Sequence, residues 1–232
     1  MPQQAGVHYN RAPIREAIFN ISIEGISEDR IDHLASFWQT VESEFPIPVQ
    51  RRTHGEQSNS PDTTIARKSS DSSRVVEART DGLAFSRLAP YDSWESFTTE
   101  TRRIWDIYVA IIGPVQLTGF FVRYINVIRI PLGRPLHNFF TVYPAMPDRE
   151  TLFSGLFMLT KTQISSPPGS FTVIFTPDGP ADEGHFHMLL DNTFEFEVEQ
   201  EDSMWKSLPK IRELKNSTFT DQLTAELRET IS

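Results

Sequence analysis

The sequence predicts an α+β fold, with a curved, mainly antiparallel sheet packed by two mid-chain helices and a C-terminal helix. Several short segments alternate apolar and polar residues, as half-buried strands do, while three longer segments repeat apolar residues every three or four positions. Strands that follow one another with few helical crossovers favour antiparallel pairing over a parallel, doubly wound sheet. A helix followed by strands occurs twice, so the order also suggests two fused helix-plus-strands halves.

The first half of the chain supplies a strand, a helix and a hairpin. Alternation over 19–23 predicts a half-buried strand, and a helix over 27–45 follows with Ser27 as its N-cap. The segments 74–79 and 83–88 then predict a tight hairpin, because an Asp-Gly pair between them tolerates the positive φ angles of such a turn.

The second half begins with a helix over 93–112, for which Asp92 is the predicted N-cap and Gly113 the predicted end. The segment 119–130 is apolar enough to be a strand buried on both faces. The chain ends in a helix that polar residues at 216–218 are expected to break or bend. Further strand candidates lie at 138–143, 152–163, 170–176 and 185–198.

The chain of 232 residues is interpreted as a single α+β domain over 1–232, with a soft internal boundary near residue 90. The segment 50–64 has almost no apolar residues and several turn formers, so we expect a mobile loop there.

Charge and composition restrict the partners. The formal net charge is -9, which makes nucleic acid an unlikely partner because the surface as a whole repels phosphate. The chain has 0 Cys, so thiolate metal sites and a cysteine nucleophile are excluded. The first residues lack a secretion signal and no apolar run is long enough to span a bilayer, so we expect no membrane association and a cytoplasmic location.

Two polar residues lie in the middle of the apolar strand 119–130. Arg123 and Asn126 are three residues apart, so a strand directs them to opposite faces. A buried guanidinium needs a carboxylate or a bound anion, and Glu16 is the preferred partner, with an anion site as the less favoured alternative. Tyr124 shares the face of Asn126, whose amide would tie a neighbouring loop or helix end. These four residues are the candidate ligand-binding residues.

A second constellation is the pair His185 and His187, which would share one face of a strand. Two imidazoles at this spacing can chelate a divalent metal, with Asp191 or Glu16 as a third ligand. Because Asp191 would lie about 13 Å from His187 along an extended strand, histidines that face solvent or form hydrogen bonds are the favoured interpretation. The acidic run 195–202 is interpreted as the solvated face of an edge strand.

Four short motifs occur together in one order: Tyr-x-x-x-Pro-Ile-x-Glu-Ala at 9–17, Arg-Tyr-Ile-Asn at 123–126, Leu-Leu-Asp at 189–191 and Phe-Thr-Asp-Gln-Leu at 219–223. In this combination the chain resembles a sporadically distributed prokaryotic protein family. The resemblance implies one domain of conserved length, no established activity and an accessory, mobile or defence-linked role. His187 stands where that family more often has apolar residues, which argues against a family-wide metal site.

The sequence lacks the phosphate loop, the nucleophile elbow, the zinc-protease motif and the dinucleotide fingerprint. We therefore expect a non-enzymatic binding or interaction module, without a cofactor, that recognises a protein or a small ligand. A homodimer is compatible with this interpretation. The alternatives are a metal-assisted hydrolase that uses His185 and His187, or an anion-processing enzyme that uses Arg123.

Overall fold

The computed structural model describes residues 12–49, 65–144, 155–180, 182–198 and 200–231. The predicted mobile loop at 50–64 lies outside the described residues, as do the first residues of the motif at 9–17 and of the strand candidate at 152–163.

In these residues nine strands and four helices of more than one turn are formed. The strands are β1 (Ile14–Ile23), β2 (Ile47–Val49), β3 (Ile65–Lys68), β4 (Arg74–Arg79), β5 (Gly82–Leu88), β6 (Leu117–Pro131), β7 (Met158–Ser165), β8 (Pro168–Pro177) and β9 (His185–Phe196). The helices are α1 (Asp32–Val41), α2 (Trp94–Ile112), α3 (Glu201–Gln222) and α4 (Ala225–Ile231). Short 3-10 turns occur at Glu28–Arg30 and Leu136–Asn138.

The strands form one open antiparallel sheet in the order β2-β3-β4-β5-β1-β6-β9-β8-β7. The predicted α+β class is therefore confirmed. The predicted hairpin is also present, since β4 and β5 pair from Arg74 opposite Arg87 to Arg79 opposite Gly82. Gly82 has a φ of 151°, a value that glycine adopts most readily.

The chain divides into two compact units. Unit A comprises Glu16–Arg123 and Glu195–Trp205, and unit B comprises Met1–Arg15, Tyr124–Phe194 and Lys206–Ser232. The single domain over 1–232 and its soft boundary near residue 90 stay predictions.

Each unit has its own apolar core. In unit A, Phe19 of β1 is fully buried, and its ring contacts Phe97 of α2, Phe120 of β6 and Trp205 of α3. In unit B, the core is built from β6, β8, β9, α4 and the turn after β6, including Ile128, Phe140, Phe175, Leu190 and Leu227.

Two helix starts differ from their predictions. Ser27 makes no capping hydrogen bond and precedes a 3-10 turn, so α1 begins only at Asp32. Ser93, and not Asp92, caps α2, because its hydroxyl accepts a hydrogen bond from the Ser96 amide at 3.1 Å. The Asp92 carboxylate instead pairs with Arg87 at 2.8 Å. The predicted end of this helix at Gly113 is confirmed.

Three other predictions are wrong. The segment 138–143 is not a strand, because its aromatic residues fold over the unit B core and only Phe140 forms an isolated bridge, to Leu223. The C-terminal helix is not broken at 216–218, because α3 continues through these residues and the interruption lies at Leu223 and Thr224 instead, while a bend at 216–218 stays a prediction. The acidic run 195–202 does not lie on an edge strand, because β9 is flanked by β6 and β8 and ends at Phe196.

The corrected cap gives a first testable prediction. Ser93→Ala removes the acceptor for the Ser96 amide and should lower the free energy of unfolding by about 1 kcal/mol. Ser27→Ala is the matched control and should change it by less than about 0.5 kcal/mol, because Ser27 caps nothing. Urea denaturation followed by circular dichroism measures both. Equal losses in the two variants would contradict the assignment.

Candidate functional site

The central strand β6 has one buried face and one half-buried face. Phe120, Val122, Tyr124, Asn126 and Ile128 are buried on one side. Arg123 lies on the other side, where Phe121, Arg123 and Val127 are half-buried and Arg129 is exposed. The prediction that Arg123 and Asn126 face opposite ways is therefore confirmed, whereas the prediction that both faces are fully buried is wrong.

Arg123 and Glu16 are both half-buried and lie on the neighbouring strands β6 and β1. Each side chain has an interaction with its surroundings. Because Arg123 retains contact with solvent, its charge costs less than a fully buried guanidinium would, which weakens the argument that it requires a particular partner. The Arg123–Glu16 pair and the anion-binding alternative stay predictions.

Asn126 and Tyr124 are held inside unit B. The Asn126 amide nitrogen donates to the Leu190 carbonyl oxygen at 3.1 Å and to the Tyr124 carbonyl oxygen at 3.4 Å. It thus ties β6 to β9, where the sequence suggested a loop or helix end. The Lys215 ammonium lies 4.7 Å from the centroid of the Tyr124 ring. Asn126 is 2% exposed and Tyr124 is 4% exposed, so both side chains pack in the core and present little surface to a ligand.

His185 and His187 lie at the start of β9, next to a tight turn. The His185 Nδ1 atom is 3.0 Å from the Glu183 carbonyl oxygen, and the His187 Nε2 atom is 4.0 Å from an Asp182 carboxylate oxygen. Within the described residues, no group of three or more His, Cys, Asp or Glu side chains could hold a metal ion. A metal site at the two histidines stays a prediction.

A cleft in unit A is lined by none of these six residues. Its volume is about 660 Å³, and it is a shallow cleft that is broadly open to solvent. Leu117 and Val198 supply apolar surface. Its polar lining consists of Glu24, Gln116, Thr118, Glu197, Gln200 and Ser203.

Three separate segments position the walls of this cleft. Glu24 follows the last residue of β1, and its amide donates to the Gln116 carbonyl oxygen at 2.8 Å. Thr118 is the second residue of β6. Gln200 directly precedes α3, and its backbone carbonyl oxygen accepts a hydrogen bond from the Ser203 amide at 3.1 Å. The start of the helix therefore holds the backbone of both residues in place.

Gly119 lets the two strands below the cleft approach each other. A Cβ atom at this position would lie 2.7 Å from the Phe196 carbonyl oxygen, a distance that real side chains do not adopt. A larger residue would therefore displace the end of β9, from which Glu197 follows. The glycine is required by the close approach of backbone and not by its own φ angle.

The cleft is acidic. Glu24 and Glu197 together carry about two negative charges, whereas the nearby start of α3 contributes only about +0.5 from the helix dipole. Over the whole sequence, unit A has 21 Asp and Glu against 11 Lys and Arg, a net charge of -10, whereas unit B has 10 against 11, a net charge of +1. The acidity of the protein thus belongs to the unit that holds the cleft.

No pattern in the sequence predicted this cleft. Its residues come from three segments that are far apart along the chain, and none of them forms a motif. The acidic run 195–202, which contains Glu197 and Gln200, was the pattern that could have indicated the cleft. It was interpreted as the solvated face of an edge strand instead.

No protein-family model matches the chain, and no curated protein sequence matches it. The resemblance to a prokaryotic family therefore stays a prediction. Among the described residues, no helix is both long enough and apolar enough to cross a bilayer.

The role of Asn126 can be tested by a charge substitution. Asn126→Asp directs a carboxylate at two carbonyl oxygens and should lower the free energy of unfolding by about 3 kcal/mol. Asn20→Asp is the matched control, since Asn20 is equally buried but its side-chain oxygen accepts from Arg79 at 2.7 Å. Its unfolding free energy should change by less than about 1 kcal/mol. Equal urea midpoints for the two variants would refute the assigned contacts.

The pairing of Arg123 with Glu16 can be measured by a double-mutant cycle with Arg123→Ala and Glu16→Ala. If the two side chains pair at the half-buried surface, their coupling energy should be about 0.5–1 kcal/mol. Additive effects within about 0.3 kcal/mol would exclude the pair. In that case, sulfate that stabilises the wild-type protein but not Arg123→Ala would favour the anion alternative.

Proposed function

We propose that the protein is a cytoplasmic, non-enzymatic binding module of a prokaryotic accessory or defence-linked system, and that its acidic cleft holds a positively charged segment of a partner protein. The observation that carries this proposal is the cleft of about 660 Å³ lined by two glutamates, two glutamines and two hydroxyl groups. The accessory role rests on the sequence resemblance alone.

The lining suits recognition better than acid–base chemistry. Among the described residues that line it there is no histidine, lysine or tyrosine, the side chains that most often exchange protons near neutral pH beside carboxylates. Amides and hydroxyls can both donate and accept hydrogen bonds, so they match the backbone and polar side chains of an extended peptide.

Charge determines which segment fits. Glu24 and Glu197 are exposed at the cleft, and unit A has a net charge of -10, so an acidic segment or a nucleic acid would be repelled. Arginine matches a carboxylate with two parallel hydrogen bonds, which makes an arginine-bearing segment the best complement.

A fluorescein-labelled hexapeptide of three Arg-Ser repeats provides a direct test by fluorescence anisotropy. We expect saturable binding that weakens as sodium chloride rises from about 50 to 500 mM, because these charges are exposed to screening. A Glu-Ser hexapeptide should not bind.

The double variant Glu24→Gln with Glu197→Gln should weaken this binding by about tenfold, which corresponds to two exposed charged contacts. The control is Glu28→Gln with Asp32→Asn, which removes the same charge from unit A outside the cleft and should change the affinity by less than about twofold. Equal losses in both double variants would show that net charge alone attracts the peptide and would overturn the site.

A further inference from the structure

Strand β7 forms one edge of the sheet built by the described residues, and it belongs to unit B. β8 pairs with it along its whole length, from Met158 opposite Phe175 to Ser165 opposite Pro168. No described strand lies on its other side, and six of its eight residues are exposed. Since the backbone groups of a strand alternate between its two sides, an edge strand of this kind is a template for a further strand.

The opposite edge of the sheet is protected against such pairing, whereas β7 is not. β2 is only three residues long and has Pro48 at its centre, which cannot donate a backbone hydrogen bond. β7 has eight residues and no proline. Lys161 is the single charged residue of the hairpin 158–177, and one lysine is weak protection for an edge of this length.

The apolar side chains at the start of β7 are exposed. Phe157 is 68% exposed and Leu159 is 53% exposed, the two highest values among the large apolar side chains of the described residues. The Thr176 hydroxyl of β8 donates to the Leu156 carbonyl oxygen at 2.8 Å, so the chain already runs along β8 before β7 begins. Phe157 and Leu159 therefore share one face, and a partner that covers this face removes apolar surface from water.

Charge and symmetry favour a second copy of this chain as that partner. Unit B has a net charge of +1, so two copies of it do not repel each other, as two copies of unit A at -10 would. Two identical strands that pair antiparallel about a two-fold axis form a closed dimer with no new edge. We propose that the chain dimerises by antiparallel pairing of β7 with β7 of a second copy, with the two-fold axis at Leu159.

The side chains of β7 select this register. It places Leu159 opposite Leu159 of the second copy and Phe157 opposite Lys161 of the second copy, so the leucines cover each other and each ammonium lies near a ring. A two-fold axis at Lys161 would place two like charges directly opposite each other, which is unfavourable. An axis at Thr160 would place each leucine opposite a lysine and leave the leucines apart.

This interface goes beyond the proposed function, because β7 contributes no residue to the acidic cleft. Sedimentation equilibrium of the full chain over about 10–500 µM tests it. Two short strands form a small interface, so we expect a dissociation constant of about 10–100 µM. A protein that stays monomeric at about 500 µM would overturn the proposal.

Charge substitutions at Leu159 locate the interface. Leu159→Lys should raise the dissociation constant by about tenfold or more, because it removes the apolar contact and places two like charges opposite each other. The matched control is Leu132→Lys, since Leu132 is 52% exposed in the same unit but lies outside the hairpin, and its dissociation constant should stay within about twofold of the wild-type value. Equal weakening in the two variants would refute the site.

A mixture of charge variants tests the symmetry of the register. Leu159→Glu should also dimerise weakly by itself, whereas an equimolar mixture with Leu159→Lys should dimerise at least about fivefold more tightly than either variant alone, because opposite charges then face each other. A mixture no tighter than its components would refute the axis at Leu159. The substitutions lie on an exposed side chain, so circular dichroism should show both variants folded.

Hydrogen exchange distinguishes strand pairing from any other contact at this face. Exchange of the β7 amides should slow as the wild-type concentration rises through the dissociation constant, because pairing encloses backbone N–H groups. A dimer in which these amides exchange at the monomer rate would overturn the proposal. The affinity of Leu159→Lys for the Arg-Ser hexapeptide should stay within about twofold of the wild-type value, so the dimer and the acidic cleft are tested separately.

Discussion

The contacts of the Phe19 ring hold unit A together. The ring is fully buried and lies within 5.6–6.4 Å of three other aromatic rings, from α2, β6 and α3, distances at which aromatic pairs attract beyond their burial. Truncation of a phenylalanine in such a place typically costs about 3–5 kcal/mol, a large part of the roughly 5–15 kcal/mol that stabilises a domain. One side chain of β1 thus joins elements that are distant in the sequence.

The acidic cleft depends on the same contacts. Phe120, near the start of β6, stacks on Phe19 and on Phe196, the last residue of β9. These contacts fix the start of β6 and the end of β9, next to which Thr118 and Glu197 of the cleft lie. Trp205 lies two residues after Ser203 and fixes the first turn of α3. The polar side chains of the cleft therefore stand on a rigid apolar base, which keeps their geometry in the absence of a ligand and reduces the entropy lost on binding.

Sequence patterns predicted those elements of the fold whose conformation is determined by adjacent residues. The strand β1, the Asp-Gly turn of the hairpin and the glycine after α2 all depend on a few adjacent residues, and the structure has each of them. The strand is, however, buried on both faces at residues 19–21, where alternation predicted a half-buried strand. The strands β2 and β3 were missed, because they are only three and four residues long and flank a polar segment. The predicted cap of α2 was wrong by one residue, because Asp92 and Ser93 are both favourable N-cap residues. In the structure Asp92 pairs with the Arg87 guanidinium, whose position the sequence does not reveal.

The candidate sites were harder to predict than the fold. Sequence reasoning favoured polar residues within apolar strands, such as Asn126, and these proved to be tied into the core. The acidic cleft instead combines residues from separate segments, which become neighbours only when β1, β6 and α3 pack together. Residues combined in this way have no regular spacing along the chain, so a single sequence does not indicate that they form a site.

The most direct measurement of the central claim is the set of backbone amide resonances that shift when the Arg-Ser hexapeptide is added to ¹⁵N-labelled protein. If the peptide binds in the acidic cleft, the largest shifts should occur at Glu24, Gln116–Thr118 and Glu197–Ser203, with few changes elsewhere in unit A. Shifts that spread over the acidic surface of unit A, or that cluster around Arg123 and His187, would contradict it.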